Sequence, residues 1–390
     1  TNLVIKNLTI KDWCTAISGD NSINNIFQGN TITDNHNGIS LVNSVGDTIT
    51  DNQIINIQEI GILLNGNDYT ISNNIIDDLS NAFIHPNTYT DFYGPTNVGI
   101  KVESGDGVNI IENNSLGSAD SGFSVGIDHN YAYSENSVLT IKNNNIINMG
   151  TGINCERYCD IYDNNMIFES TSHDSNFYPI TGIVSGQFTN VHNNVIKNWK
   201  TAIITDGDPV LIYHNLFENN LNLFDLRMGQ YVVENNFINN NSPGYGSQSN
   251  FNSMSSMYWT NNPVIQNSGN YWSDHSPLCE DTNNDNFCDT SYPFSGGTIN
   301  ITDDYVWKVQ DGWKTTINTP SNSTVDAVDS SGLSHNYSVS ATHDGTSMSV
   351  SCDYTSGSTF PIGVTDVLCT ANNGIHATFS VTVNPPPPAI

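Results

Sequence analysis

Short apolar runs recur along most of the chain in one fixed frame. In residues 191–220 (VHNNVIKNWKTAIITDGDPVLIYHNLFENN), one apolar residue lies three positions before an Asn and another lies two positions after it. Where nothing is inserted, successive copies are 20 to 22 residues apart. The predicted anchors of the repeat are Asn30, Asn52, Asn74, Asn114, Asn145, Asn165, Asn194, Asn215 and Asn236. The apolar residues two positions later are Ile32, Ile54, Ile76, Leu116, Ile147, Ile167, Ile196, Phe217 and Ile238.

A fixed period near 22 residues is typical of a solenoid, and the local chemistry indicates which kind. Each unit has two or three short β-branched runs separated by Asn, Gly and Asp, and no run has a helical period. Asn and Gly tolerate the left-handed backbone of tight corners. We therefore expect one unit to be one coil of a parallel β-helix. An Asn-rich disordered segment is the alternative, but it gives no reason for the apolar residues to stay in phase.

The predicted fold class is all-β, a right-handed parallel β-helix followed by a small antiparallel Ig-like β-sandwich. After Asn236 the repeat gives way to an irregular last coil, and the texture changes again near residue 314 to short alternating strands with Ser and Gly turns. The predicted domains are the β-helix (1–278), its closing segment (279–313), the sandwich (314–384) and a Pro-rich tail (385–390).

The charge balance excludes several classes of partner. The chain has 39 acidic and 10 basic residues, giving a net charge of -29. Nucleic acids and anionic membranes both require a basic face, so we expect neither as a partner. No apolar run reaches the length of a transmembrane segment. Divalent cations remain plausible ligands of so acidic a chain.

Seven cysteines fall into three close pairs and one leftover, Cys14. The pairs are Cys155 with Cys159, Cys279 with Cys288, and Cys352 with Cys369. Local pairs of this kind predict disulfides in a secreted protein. Metal-thiolate pairs are the alternative, disfavoured because no companion Cys or His lies nearby in the sequence. Cys14 is expected to be buried or to pair outside the chain. Sequons are frequent, as in an exported glycoprotein, but an Asn-rich chain also produces them by chance.

Three insertions interrupt the repeat, at residues 80–97, 127–137 and 168–181. They are rich in Tyr, His and Asp, which stack on sugars and hydrogen-bond to them. Protruding loops also recruit aromatic residues simply to pack on themselves. The candidate sugar-binding residues are Tyr89, Asp91, Tyr93, Asp128, His129, Tyr131, Arg157, His173 and Asp174.

The segment CEDTNNDNFCDTSY resembles an EF-hand-style calcium loop. Position 6 holds Asn286 instead of Gly, and position 12 holds Tyr292 instead of Glu, so Asp303 or Asp304 would have to supply the missing carboxylate. A disulfide flanking the loop would pre-order it. An Asp/Asn-rich surface turn is the alternative. The predicted Ca²⁺ ligands are Asp281, Asn283, Asp285 and Asp289, with the carbonyl of Phe287.

The series GNYWSDH, D-x-N-x-D-x-x-x-D-x-x-Y-P and DDY resembles the closing segment of β-helix repeat proteins of the NosD type. They belong to the carbohydrate-binding and sugar-hydrolase group of β-helices. The resemblance covers roughly residues 1–310. It implies the fold, but the group includes lyases, hydrolases, epimerases, copper-accessory proteins and non-catalytic surface proteins.

The segment VSCDYTSGSTFPIGVTDVLCTANNGIHATFSVTV is similar to a HYR (hyalin-repeat) domain, and Cys352 and Cys369 match the cysteine pair of that family. The family's usual Asp after CTA is replaced by Asn373 or missing. Such domains occur in extracellular, adhesion-related chains, often in archaeal and bacterial surface proteins. The resemblance therefore implies a cell-surface location.

Motifs of β-helix enzymes are incomplete in this chain. Asp77 and Asp78 lack the Gly-His-Gly and Arg-x-Lys of polygalacturonases, and Arg157 lacks the carboxylate cluster of pectate lyases. A copper site would need clustered His or Met, whereas His192 and His214 are offset by one position between adjacent coils. The sequence therefore favours a protein without catalytic activity.

We expect a secreted, non-catalytic structural or adhesive cell-surface protein that binds Ca²⁺. Its expected partners are copies of itself, assembled end to end into a sheath, layer or filament, or other surface proteins. An uncapped first coil, the leftover Cys14 and the PPPPAI tail favour such assembly. The competing hypothesis is a polysaccharide-binding or polysaccharide-degrading protein, a lyase or hydrolase, that uses the inserted loops.

Overall fold

The protein consists almost entirely of β-strands, arranged in two compact units. The first unit contains Thr1–Asn270 and Pro293–Asp303, and the second contains Tyr271–Tyr292 and Asp304–Ile390. The computed structural model describes residues 2–386 except 80–96, 104, 119–123, 130–136, 170–179, 208, 228, 247–248, 255–263 and 295–300. The fold class predicted from the repeat, an all-β chain with a parallel β-helix, is confirmed.

Every coil of the first unit contributes one strand to each of three parallel faces, and two long strands bend from face 2 into face 3. Face 1 contains Val4–Lys6, Ile26–Gln28, Thr48–Thr50, Thr70–Ser72, Asn109–Glu112, Leu139–Lys142, Cys159–Tyr162, Thr189–His192, Val210–Tyr213 and Tyr231–Val233. Face 2 contains Thr9–Lys11, Thr31–Val45, Gln53–Asn67, Ile75–Asp77, Ser115–Gly117, Asn145–Ile147, Asn165–Ile167, Val195–Lys197, Leu216–Glu218 and Asn236–Ile238. Face 3 contains Thr15–Asp20, the ends of the two long strands, Asn97–Val102, Ser124–His129, Thr151–Arg157, Thr181–Gln187, Thr201–Thr205, Asn222–Leu226 and Gly244–Gly246.

A continuous ladder of asparagine side chains runs up the corner between faces 1 and 2. Each ladder Asn after Asn30 accepts bonds on Oδ1 from the backbone N–H and the side-chain amide of the Asn one coil earlier, as Asn164 does from Asn144 at 2.9 and 3.0 Å. The ladder satisfies buried corner groups that the strands leave free. Its members are Asn30, Asn52, Asn74, Asn114, Asn144, Asn164, Asn194, Asn215, Asn235 and Asn270.

Three of the predicted anchors were wrong by one residue. The ladder uses Asn144, Asn164 and Asn235, not Asn145, Asn165 and Asn236. Consecutive asparagines hid the true frame, which the alternation of strand residues reveals. The buried apolar residues in these coils are Ile146, Met166 and Phe237, not Ile147, Ile167 and Ile238.

A residue with left-handed backbone precedes each ladder Asn except Asn270 and turns the chain sharply. Glycine, Asn and Asp fill most of these positions because they tolerate positive φ. His214 and Glu234 also adopt this conformation, with φ of 57° and 53°. The corner residues are Gly29, Asp51, Asn73, Asn113, Asn143, Asp163, Asn193, His214 and Glu234.

The ladder ends on a carboxylate. Asp303 is buried, and its Oδ2 accepts the backbone N–H of Asn270 at 2.8 Å and the side-chain amide of Asn270 at 3.0 Å. Asp303 thus serves the last coil through Oδ2, and the part of Asp303 or Asp304 in the calcium loop stays a prediction.

A row of glycines lies where the coils of face 3 approach most closely. A Cβ added to Gly126 would lie 2.5 Å from the carbonyl oxygen of Gly152, and one added to Gly152 would lie 2.5 Å from that of Gly182. A Cβ cannot approach a backbone oxygen so closely, so most of these positions need glycine. The row contains Gly38, Gly61, Gly99, Gly126, Gly152 and Gly182, followed by Ala202.

The first unit also contains the antiparallel pair Ser253–Met254 and Ile265–Gln266, and the strand Ile301–Asp303. Among the described residues, no helix is long and apolar enough to span a membrane.

The second unit has small sheets around its own core, antiparallel except that Ser323–Asp326 pairs in parallel with His376–Asn384. One sheet contains Thr315–Asn318, Ser340–His343 and Thr346–Met348, and another contains Ser323–Asp326, His376–Asn384, Gly363–Ala371 and Val350–Cys352. Phe360, Val367 and Phe379 are buried at its centre. Its other elements are the strands Tyr271–Trp272, Leu333–Ser334 and Thr359–Phe360, and the 3-10 helices Ser276–Leu278 and Gly312–Lys314. Only the first residue of the strand Tyr292–Phe294 belongs to this unit.

The three predicted disulfides are present, Cys155–Cys159 in the first unit and Cys279–Cys288 and Cys352–Cys369 in the second. Cys352 and Cys369 are direct cross-strand partners. Cys14 is free and exposed, so the expectation that it is buried is wrong.

Candidate functional site

Polar residues concentrate on face 3, in the coils that contain residues 128 and 154. Strand register places Asp128 beside Asn154 and His129 beside Cys155. Successive residues of a strand point to opposite sides of a sheet, so the two rows differ. Asp128 and Asn154 belong to the row that faces outward, and His129 and Cys155 belong to the row that faces the interior.

The outward row contains a nearly buried carboxyl group. Asp128 is 6% exposed, and its Oδ1 accepts a 2.7 Å hydrogen bond from Asn154 Nδ2. Burial raises the pKa of the Asp128 carboxyl, and the bond from Asn154 acts in the opposite direction. Lys101 is one coil earlier in the same row, where it pairs with Glu103 at 2.6 Å.

Beyond Asn154, the outer surface of face 3 forms an open groove of about 370 Å³. Arg157 and Gln187 are register partners in adjacent strands of the groove. The Arg157 guanidinium has no ion-pair partner among the described residues, whereas Arg227 lies 3.4 Å from Asp206. The groove thus offers amide, carboxylate and guanidinium groups on consecutive coils. Its lining contains Asn154, Cys155, Glu156, Arg157, Val184, Ser185, Gly186, Gln187 and Asp206.

The inward row brings a histidine against a cysteine pair. His129 is 3% exposed, and its Nδ1 lies 3.7 Å from the sulfur of Cys155 and 3.8 Å from that of Cys159. Burial lowers the pKa of His129 to about 4, so the imidazole is neutral at neutral pH. In the described part of the chain, these three residues form the one group of His, Cys, Asp or Glu with ligand atoms close enough to hold a metal ion.

The interior position of His129 corrects two sequence-based expectations. It does not line the groove, so it is not a sugar-contacting residue. The statement that the cysteine pair has no companion histidine was also wrong, because one coil separates residues that are 26 apart in sequence. A signal was present: His129 follows Gly126-Ile127 by the same interval at which Cys155 follows Gly152-Ile153.

Other sugar-binding candidates lie outside the described residues. Of the nine residues predicted from sequence, the structure describes Asp128, His129 and Arg157. Asp128 and Arg157 lie on the outer side of face 3, with Arg157 in the groove. The candidates outside the described part are Tyr89, Asp91, Tyr93, Tyr131, His173 and Asp174.

In the segment 281–289, carboxylates bind the loop's own backbone. Asp281 accepts the N–H of Asp285 at 3.0 Å, Asp285 accepts that of Phe287 at 3.0 Å, and Asp289 accepts that of Thr282 at 3.1 Å. Carboxylates that accept backbone N–H groups in this way hold the loop in a tight turn.

Two further features of this loop concern a cation. Asn286 has a φ of 75°, so it adopts the turn for which the motif uses Gly. Oδ2 of Asp281 is buried without a hydrogen-bond partner, and the Lys308 ammonium lies 3.6 Å from it. Asn286 also exchanges two hydrogen bonds with the backbone of His376, at 2.6 and 3.0 Å.

The two histidines on adjacent coils are separated as predicted from their offset. His192 ends a strand of face 1, where it stacks between Tyr162 and Tyr213 and lies 3.1 Å from Asp160. His214 occupies the next corner and lies 2.7 Å from a carboxylate oxygen of Glu234.

Comparison with known proteins gives limited similarity. The model of the family described as "Periplasmic copper-binding protein (NosD)" matches residues 1–130. The crystal structure of an alginate lyase from Paenibacillus sp. str. FPU-7 is similar at 13% identity and a TM-score of 0.31, covering 63% of this chain and 92% of the lyase. Similarity this low does not identify an activity. Curated proteins gave no significant match.

Proposed function

We propose that the chain is an exported, non-catalytic β-helix protein that binds an extended neutral polysaccharide in the groove of face 3. Adhesion to such a glycan at a cell surface would be its role. The groove's polar side chains on successive coils carry this proposal. Coils repeat at about 4.8 Å, a distance similar to the length of one sugar residue, so consecutive coils offer consecutive sugars similar partners.

The groove's chemistry suits sugar hydroxyls. A hydroxyl both donates and accepts, so it pairs equally well with carboxylates and with amide or guanidinium N–H groups. Glu156 and Asp206 would accept, while Asn154, Arg157 and Gln187 would donate. The net charge of -29 disfavours a polyanionic glycan.

Binding is tested by calorimetry with neutral polysaccharides on the purified chain. Arg157→Ala should weaken binding at least about tenfold, because a desolvated charged hydrogen bond contributes about 1.5–3 kcal/mol. Lys11, at the end of the strand Thr9–Lys11, forms a surface ion pair with Asp34. Lys11→Ala removes the same charge as Arg157→Ala but outside the groove, so it should leave binding unchanged. Equal affinity of both variants and the parent would contradict the groove as the binding site. Release of shortened glycan with new ends would contradict a non-catalytic role.

We also propose that one Ca²⁺ binds Asp281, Asn283, Asp285 and Asp289 with the Phe287 carbonyl. The buried Oδ2 of Asp281, which accepts no hydrogen bond, and the left-handed Asn286 support it. Asp285→Ala should lower both the calcium content and the melting temperature of the second unit, and Asp344→Ala, at an exposed turn, should change neither. Unchanged calcium content and melting in Asp285→Ala would identify a plain turn.

Self-association remains a prediction of the sequence. Leu3, Val4, Leu8 and Trp13 are exposed in the first coil, and any further coil stacked on it would cover them. Sedimentation of the chain over a range of concentrations, with and without calcium, tests it. A monomer under all conditions would contradict association of this chain with copies of itself.

A further inference from the structure

In the interior group of His129, Cys155 and Cys159, burial of the polar imidazole costs free energy. The disulfide form of the two cysteines does not offset this cost. The His129 imidazole is buried, and its Nδ1 lies within 3.8 Å of two disulfide sulfurs. Disulfide sulfurs are weak hydrogen-bond acceptors, so a buried polar nitrogen has only poor partners there. The same row continues with Ser185 and Thr205, both completely buried.

We propose that these three residues form a buried site for one thiophilic closed-shell cation, Cu(I) or Zn²⁺, when the Cys155–Cys159 disulfide is reduced. Thiolate and imidazole are the ligands that both ions prefer. Cys155 and Arg157 also line the groove, whereas no residue of the calcium loop belongs to this site.

The interatomic distances fit coordination. With metal–sulfur bonds of about 2.3 Å and metal–nitrogen bonds of about 2.0–2.1 Å, sulfur and nitrogen lie about 3.6 Å apart around a tetrahedral ion and about 3.8 Å apart around a trigonal one. The observed separations of 3.7 and 3.8 Å fall in this range. His129 therefore needs little movement to become a ligand, while the two sulfurs must separate to about 3.8–4.0 Å.

A fourth ligand atom for the metal ion is available. The backbone carbonyl oxygen of Arg157 lies 3.5 Å from the Cys155 sulfur and 3.7 Å from the Cys159 sulfur. Around a tetrahedral ion, oxygen and sulfur ligands are also about 3.6 Å apart. The carbonyl can thus complete a four-coordinate site for Zn²⁺, whereas Cu(I) is satisfied by the three side chains.

The net charge of the filled site agrees with this assignment. Two thiolates with Zn²⁺ give a net charge of zero, which suits a dry interior, and with Cu(I) they give one negative charge.

The chemistry balances in two steps. A dithiol reductant transfers two electrons and two protons to the disulfide, giving two cysteine thiols and the oxidised cyclic form of the reductant. The metal ion then displaces both thiol protons and forms two metal–sulfur bonds. The exchange is reversible: the cyclic disulfide form of the reductant takes back two electrons and two protons and restores the Cys155–Cys159 disulfide, so the thiol–disulfide balance controls metal access.

Metal binding by the full chain tests the proposal. The chain is reduced without oxygen, desalted, and titrated with Zn²⁺ or Cu(I) against a chromophoric chelator, with unreduced chain as the reference. We expect one equivalent to bind after reduction, and none at this site before it. Failure of both ions to bind the reduced chain would overturn the proposal, and binding of one ion alone would identify which it takes.

Variants locate the bound ion. His129→Gln retains the disulfide and should lower affinity by at least the roughly 10–100-fold seen when outer partners of metal ligands are lost. His214→Gln removes a corner histidine with a carboxylate partner and should leave affinity unchanged. The double variant Cys155→Ser and Cys159→Ser should no longer bind the one equivalent of metal ion. The other two disulfides should still be reduced normally in this variant. Retention of full binding in this double variant would place the metal elsewhere.

A cobalt spectrum keeps the test independent of folding differences among variants. Co²⁺ bound by two thiolates gives intense charge-transfer absorption, which is absent when oxygen ligands alone bind. Its appearance in the reduced parent and its change in His129→Gln are expected. Absorption identical in the parent and in His129→Gln would exclude the histidine as a ligand.

Discussion

Replacement of Asn144 by alanine should destabilise the coil stack far more than replacement of its neighbour Asn145. Oδ1 of Asn144 accepts the backbone N–H of Asn114 at 3.0 Å. Its amide donates to the carbonyl oxygens of Ile111 and Lys142 and to Asn164, each at 3.0 Å. Alanine can make none of these bonds, and the corner is buried.

The size of the effect follows from the groups left without partners. Lys142 retains a bond from the backbone N–H of Asn113, so its carbonyl is not orphaned. The N–H of Asn114 loses its acceptor, and the Ile111 carbonyl loses a donor. The orphaned N–H costs about 1–3 kcal/mol, and the lost bonds to Ile111 and Asn164 cost about 0.5–1.5 kcal/mol each, so the free energy of unfolding should fall by about 2–6 kcal/mol.

Asn145 is a matched control of the same residue type one position away. It is half-buried and bonds with Asn165 through a 2.8 Å contact between side chains. Loss of this one contact should cost about 1 kcal/mol or less.

The chain has two units, so a single unfolding transition does not describe the stability of both. Hydrogen exchange is the sharpest assay because it reports the stability around each amide separately. Protection of the Asn114 amide should fall sharply in Asn144→Ala and remain in Asn145→Ala. Urea unfolding of the first unit should show the same order. Equal effects of the two changes would refute the ladder as the stabilising element. A larger effect at Asn145 would show that Asn145, the anchor predicted from the sequence spacing, is the stabilising residue.

Two further changes test the close approach of coils and the end of the ladder. Gly126→Ala places a Cβ 2.5 Å from the Gly152 carbonyl oxygen and should lower the melting temperature, whereas Ala202→Gly in the same row should cost only about 1 kcal/mol; similar melting of both variants would contradict a steric role. Asp303→Ala removes the acceptor of two Asn270 bonds and should open the last coil to proteolysis, while Asp303→Asn, which retains an acceptor oxygen, should restore much of the protection. Equal cleavage of Asp303→Ala and the parent would show that the ladder needs no terminal acceptor.

The repeat predicts the coils because core burial imposes its period directly on the sequence. Where one Asn is followed by a β-branched residue, as at Asn30, the correct ladder residue is evident. Where several asparagines are consecutive, as at Asn144 and Asn145, the residue type alone does not show which one belongs to the ladder and which one begins the strand. Strand alternation decides it, because Ile146 must be buried and Ile147 is only partly so.

The interior metal-capable group was harder to find because its members belong to different coils. Cysteine spacing alone predicts the Cys155–Cys159 disulfide, since the partners are four residues apart. His129 reaches them through the register of two strands, and an insertion separates those strands in sequence. The spacing of residues within one segment cannot identify a neighbour from another coil. Alignment of the coils on their Gly-Ile pairs identifies His129 as that neighbour.

The amide ladder is directional, and this has a consequence for how such proteins change length. Each coil presents its donors to the following coil and its acceptor to the preceding one, so neighbouring coils are chemically interchangeable at this corner. Segments of 40 and 30 residues between Asn74, Asn114 and Asn144 do not interrupt it. A gene can therefore gain or lose whole coils, or lengthen a loop at another corner, without new partners being needed. Only the terminus is unique, because Asp303 accepts and cannot pass a bond onward.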